Sequence, residues 1–196
     1  MNRLQDITTL LANLHNDREE SSWFTAKTAV SAKINVSLKG SVFEQVGMKY
    51  SLDPLLIFAI AIIESHKDTH PQHAALTPYT LCANDCLFNF EDRKSADLAL
   101  KELLKSTKDI RVGLMQVHIK TCPHIRPTEL LNPRKNLNVA ASQLRKALST
   151  SNDPIIGVGL FHTDIKDVAT CYGQRVWQKY HELLQTQGTQ TAYSNH

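Results

Sequence analysis

The sequence contains no apolar run long enough to cross a bilayer. Its longest, Leu55 to Ile63, is nine residues where a spanning helix needs about 20, so it reads as a helix buried in a protein core. Residues 1 to 30 show no basic start followed by an apolar stretch and a small-residue cleavage site, so no secretory signal is expected in them. Charge of one sign is scarce as well. Lys and Arg number 22 against 19 Asp and Glu, a formal net charge of +3, and no concentrated basic cluster marks a nucleic-acid surface, so no nucleic-acid partner is expected. Internal repeats and low-complexity tracts are missing, and 42% hydrophobic with 21% charged residues is ordinary for a globular chain. Cysteine is limited to Cys82, Cys86, Cys122 and Cys171, an even set compatible with disulfides in an oxidising compartment and equally with reduced thiols.

At 196 residues the chain is long enough to bury one full core, and one main domain is expected. Leu4, Ile7, Leu10, Leu11 and Leu14 share one side of a helical wheel, predicting a short amphipathic helix over residues 2 to 15. Residues 16 to 40 carry no sustained period and read as loop. Phe43, Val46, Gly47 and Tyr50 predict the next helix, which stops at Ser51-Leu52-Asp53-Pro54. Asp53 as cap and Pro54 at the first helical position then start another, and because Leu55 to Ile63 is apolar on every face, other helices must enclose it. Pro78 to Phe90 carries β-favouring residues around Ala83-Asn84-Asp85, predicting a small hairpin with Cys82 and Cys86 on opposite arms, an arrangement open to a cross-strand disulfide.

Helical period returns at Ala96, Ala99, Leu100, Leu103 and Leu104, with Asp92 or Ser95 as cap, and breaks at Gly113-Leu114-Met115-Gln116. Pro123, Pro127 and Pro133 divide a loop-rich segment, after which Leu137, Ala140, Ala141, Leu144 and Leu148 predict an amphipathic helix. Asp153-Pro154 repeats the cap-plus-proline start. A last helix carries Val168, Tyr172, Val176, Tyr180 and Leu183 along one stripe, and the polar residues 188 to 196 read as a flexible tail.

Glu64 ends the apolar run. Desolvation and the negative end of the helix dipole both favour its protonated form, and a protonated carboxyl is what general-acid cleavage of a glycosidic bond needs. The plainer alternative is a helix end emerging into solvent. His66, His70 and His73 do not make a metal site, because Pro71 interrupts any helical face and no acidic or cysteine partner completes a set. Cys82 and Cys86 have zinc-like spacing, but Cys122 and Cys171 do not form a second close pair.

Glu64-Ser65 after an apolar helix, then Gly113-Leu114-Met115-Gln116, then Asn136-Leu137-Asn138-Val139-Ala140-Ala141, then Tyr172 to Val176, resemble in order the motifs of the soluble lytic transglycosylase family. The resemblance covers about residues 43 to 180. It implies a mainly α, lysozyme-like α+β domain over residues 41 to 187 with a small β-hairpin lobe, preceded by an N-terminal helix and loop over 1 to 40. It also implies cleavage of peptidoglycan glycan strands with formation of a 1,6-anhydro sugar, without metal or cofactor. Glu64 is then the acid that protonates the glycosidic oxygen and the base that takes the proton of the muramic acid C6 hydroxyl. Ser65 supports the acid or the substrate, Met115 and Gln116 contact the substrate's N-acetyl group, and Tyr172 sits beside the catalytic carboxyl. Asn136 is expected to fix a helix start. The usual Ala-Tyr-Asn block stands here as Leu160-Phe161-His162, which puts an imidazole among the substrate contacts.

The long segment between Glu64 and Gly113 resembles the transglycosylases encoded with conjugation and type IV secretion systems. That likeness implies a periplasmic or envelope location, with secretion-apparatus proteins as partners. Two other readings stay open. Lysozyme-type hydrolysis would require a second carboxylate, for which Asp68 is the nearest candidate. Alternatively, the chain would be a wall-binding structural part of a secretion complex with little turnover.

Overall fold

The computed structural model describes residues 38–65 and 76–191. The expected helix over residues 2 to 15, Asp68, and the histidines His66, His70 and His73 lie outside them. In chain order the elements are α1 (Val42–Tyr50), α2 (Pro54–Ser65), β1 (Thr80–Ala83), β2 (Cys86–Asn89), α3 (Arg93–Ser106), β3 (Ile110–Val112), β4 (Val117–His118), 3-10 turns at Ile119–Thr121 and Pro127–Leu131, α4 (Pro133–Leu148), α5 (Pro154–His162) and α6 (Lys166–Thr191). The chain is thus mainly helical with a small sheet, as the sequence pattern requires. Two compact units divide the described residues: 76–136, and 38–65 with 137–191.

In the helical unit, Ser41 caps α1 by accepting the Glu44 N–H, and Ser51 ends it with a left-handed φ of 51°. Asp53 Oδ1 then accepts the Leu55 N–H at 2.8 Å. The cap starts α2 where the Asp-Pro pair predicts. Leu55, Leu56, Ile57, Phe58 and Ile60 are all buried, each contributing about 1.5–3 kcal/mol relative to exposure. Phe58 meets Phe43 of α1 edge to face, with centroids 5.3 Å apart. The buried stripe of α6 runs through Ala169, Tyr172, Val176 and Leu183. Val168, which the helical wheel assigns to that stripe, is instead 47% exposed. Ala169, one position further on, is fully buried in its place, where its backbone meets Gly159 of α5.

In the other unit the strands form an antiparallel sheet in the order β2-β1-β3-β4. Asn84 and Asp85 both have positive φ, 48° and 62°, the signature of a type I′ two-residue turn whose twist suits a hairpin. The register pairs Cys82 with Leu87 and Ala83 with Cys86. Cys82 and Cys86 therefore face opposite sides of the sheet, one buried and one exposed, and the disulfide that the sequence allowed does not form. None of the four cysteines is bridged. Where the sequence showed only a hairpin, β1 also pairs with β3, Leu81 opposite Val112, and β3 with β4. Asp92 caps α3, accepting the Ser95 N–H at 2.9 Å.

Candidate active site

Glu64 and Ser65 are the last two residues of α2. Glu64 is 3% exposed despite its charge-bearing side chain. Two aromatic side chains from later in the chain reach the same oxygen. The Tyr172 hydroxyl donates to Glu64 Oε1 at 2.7 Å, and His162 Nδ1 lies 3.2 Å from it. Neither bond occupies Oε2.

The His162 and Tyr172 rings are stacked, with centroids 4.2 Å apart and planes 5° from parallel. Their alignment follows from how α5 meets α6. A Cβ at Gly159 would run into the backbone carbonyl of Ala169, and one at Gly173 into that of Ile155. Bare backbone at these two positions lets the helices touch main chain to main chain. The ring at the end of α5 then lands on a ring near the start of α6. A buried carboxyl that accepts a hydrogen bond on one oxygen carries its own proton on the other, and that second oxygen is the one through which it can exchange the proton.

In the sheet unit, the Gly113–Gln116 turn joins β3 to β4. Gly113 has φ +79°, a region that favours glycine, and a Cβ there would also strike the Asn136 amide. That amide holds the turn: Asn136 Nδ2 donates to Val112 O at 2.7 Å and Leu130 O at 3.1 Å, and Oδ1 accepts the Met115 N–H at 2.9 Å. The helix start expected of Asn136 is supplied by Asn132, which accepts the Lys135 N–H at 3.0 Å. Gln116 is 5% exposed, and its Nε2 donates to Gly113 O at 2.8 Å and Thr80 O at 3.4 Å. These two carbonyls fix which way the amide points. Met115 is 1% exposed, backbone and side chain together, and its N–H is held by Asn136. Among the described residues, two buried side-chain polar atoms have no hydrogen-bond partner, Ser65 Oγ and Gln116 Oε1. Both belong to residues that the sequence motifs single out.

The sequence matches the family of the transglycosylase SLT domain over residues 41–174. The chain belongs to that family. No curated protein and no solved structure matches it. The SLT domain carries a lysozyme-like α+β fold, which the helices and four-stranded sheet display, and transglycosylase-type cleavage of peptidoglycan as its activity class. Among the described residues of this SLT domain no single helix is long and apolar enough to cross a membrane.

Within the SLT domain the structure brings Glu64, His162 and Tyr172 together, and sets Met115 and Gln116 in the turn that Asn136 fixes. The His162 contact on Glu64 is the feature that sequence reasoning missed. The two residues are 98 positions apart, and no local pattern reports such a pairing.

Proposed function

We propose that the protein is a peptidoglycan lytic transglycosylase in which Glu64 is both acid and base. The observation that carries the reading is the Glu64 carboxyl, buried at the end of an apolar helix, with Oε1 held by Tyr172 and facing His162. Protonated Glu64 gives its proton to the oxygen of the MurNAc–GlcNAc β-1,4 bond as the C1–O bond breaks. The carboxylate so formed takes the proton of the MurNAc C6 hydroxyl while that oxygen bonds to C1. One proton leaves Glu64 and one returns, so the enzyme ends as it began and the product is 1,6-anhydro-MurNAc.

Gln116 Oε1 and Ser65 Oγ support the same reading. A buried polar atom left unpaired costs about 1–3 kcal/mol, and both atoms fit partners that a substrate brings. An acceptor such as Gln116 Oε1 suits the N–H of an acetamido group, and the Ser65 hydroxyl suits a sugar oxygen or the acid itself. Met115, next to Gln116 in the same turn, is carried into the same role by the family motif. Peptidoglycan lies outside the cytoplasm, so the protein acts in the periplasm. We place it with a conjugation or type IV secretion apparatus, whose assembly requires local opening of the wall, on the likeness of the long segment between Glu64 and Gly113.

Mass spectrometry of soluble products from purified peptidoglycan tests the chemistry. Wild type should release anhydro-muropeptides, lighter by one water than reducing-end products, and Glu64→Gln should release none. Reducing-end products would indicate lysozyme-type hydrolysis and direct attention to Asp68. Wall binding without products from either protein would indicate a structural role.

A further inference from the structure

We propose that His162 is a positioning residue that donates its Nδ1 proton to Glu64 Oε1 and thereby confines the reactive proton of Glu64 to Oε2. This inference rests on the reading of Glu64 as acid and base, but its first test does not depend on turnover. The argument starts from Tyr172. Its hydroxyl donates to Oε1 at 2.7 Å, and in a protonated carboxyl the hydroxyl oxygen is the donor and the other oxygen the acceptor. Oε1 is therefore the acceptor, and the acidic hydrogen belongs on Oε2. The imidazole nitrogen 3.2 Å from Oε1 then meets an oxygen with a lone pair and no hydrogen. Only an N–H satisfies it, so Nδ1 carries the proton.

The stack explains why the ring holds this pose. His162 and Tyr172 lie parallel to within 5° at 4.2 Å, and their polar atoms converge on a single oxygen. The two rings act as one block that the contact between α5 and α6 places. After Glu64 has given up its proton, the same two donors face a carboxylate and become charge-assisted, stronger bonds. The intermediate state is stabilised more than the starting one, which raises kcat rather than substrate affinity. His162 is 21% exposed at its side chain, so the pair is shielded without being sealed.

Two measurements test the assignment. Imidazole 15N spectroscopy of the labelled protein, with His162 identified by difference from His162→Asn, should show a protonated Nδ1. An unprotonated Nδ1 would overturn the proposal, because Glu64 would then have to donate through Oε1. In peptidoglycan turnover, His162→Phe keeps a ring on Tyr172 but has no donor, and should lower kcat about tenfold to a hundredfold with KM little changed. His162→Asn restores an N–H at the Nδ1 position and should recover most of that loss. A Phe variant as active as wild type, or an Asn variant no better than Phe when both retain the wild-type circular dichroism and Tm, would overturn it. If wild type cleaves nothing, the functional reading fails while the spectroscopic result on His162 still stands.

Discussion

Tyr172 reaches Glu64 through a hydroxyl and supports His162 through its ring, so a single substitution separates the two contributions. Tyr172→Phe keeps the stack and removes the donor. On the proposed mechanism the hydrogen bond becomes charge-assisted during the reaction, so losing it is worth about 1.5–3 kcal/mol, a loss of about tenfold to a hundredfold in kcat. Steady-state turnover of soluble glycan fragments measures it, and an unchanged Tm shows that the ring still packs. The position of Glu64 was legible because its context is local: nine apolar residues followed by a carboxylate declare a buried helix end. The task of Asn136 was not. Its partners Leu130, Met115 and Val112 stand 6, 21 and 24 positions away, and only the fold collects them around one amide.

At the scale of elements, the contact between α5 and α6 invites the sharpest stability test. Gly159→Ala forces a methyl against the Ala169 carbonyl. Backbone cannot step aside as a flexible side chain does, so the helices must separate, at a cost of about 1–3 kcal/mol or more. Urea denaturation should report the loss, and the separation should also lower peptidoglycan cleavage by lifting His162 off Tyr172. The cap of α3 tests electrostatics instead. Burial acts to raise the Asp92 pKa, but hydrogen bonds from the Ser95 backbone and hydroxyl and from the Lys94 backbone outweigh it and hold the carboxyl below 3.8. A carboxyl depressed on folding stabilises the fold above its unfolded value and loses that contribution as pH falls through the lower folded value. Asp92→Ala should therefore cost about 0.5–2 kcal/mol at neutral pH, with the difference from wild type closing as the pH falls below 3.8. Helix starts of this kind were legible, since Asp53-Pro54, Asp92 and Asp153-Pro154 each announce themselves within three residues. Strands β3 and β4 were not. At three and two residues they are too short to show alternation, and their existence depends on β1 offering a paired edge.

For the molecule as a whole, the helical unit is held at two points that use the same chemistry. Tyr180 donates to Asp53 Oδ2 at 2.6 Å at the start of α2, while Tyr172 donates to Glu64 at its end. The bond to the Asp53 carboxylate, with burial adding to it, pushes the Tyr180 phenol up to about 12 from an ordinary 10. A group raised on folding contributes fully below its unfolded value and loses that contribution as pH rises through the folded one. Tyr180→Phe should thus lower stability by about 1 kcal/mol near neutrality, allowing for its partial exposure. The gap from wild type should narrow as pH climbs from 10 towards 12. Chemical denaturation across that range measures both.

The paired tyrosines of α6 also bear on alignment. A helix lying along another can slip by one turn, about 5.4 Å, with little change in its apolar contacts. A single fastening would tolerate rotation about itself. Two fastenings, eleven residues apart from Asp53 before α2 to Glu64 near its end and eight apart on α6, work as a pair of dowels between two plates: they admit one registration and no pivot. On the proposed mechanism the acid at one end changes its charge twice in every cycle, whereas Asp53 at the other end does not. The distant dowel keeps the plates in register while the near one is chemically busy.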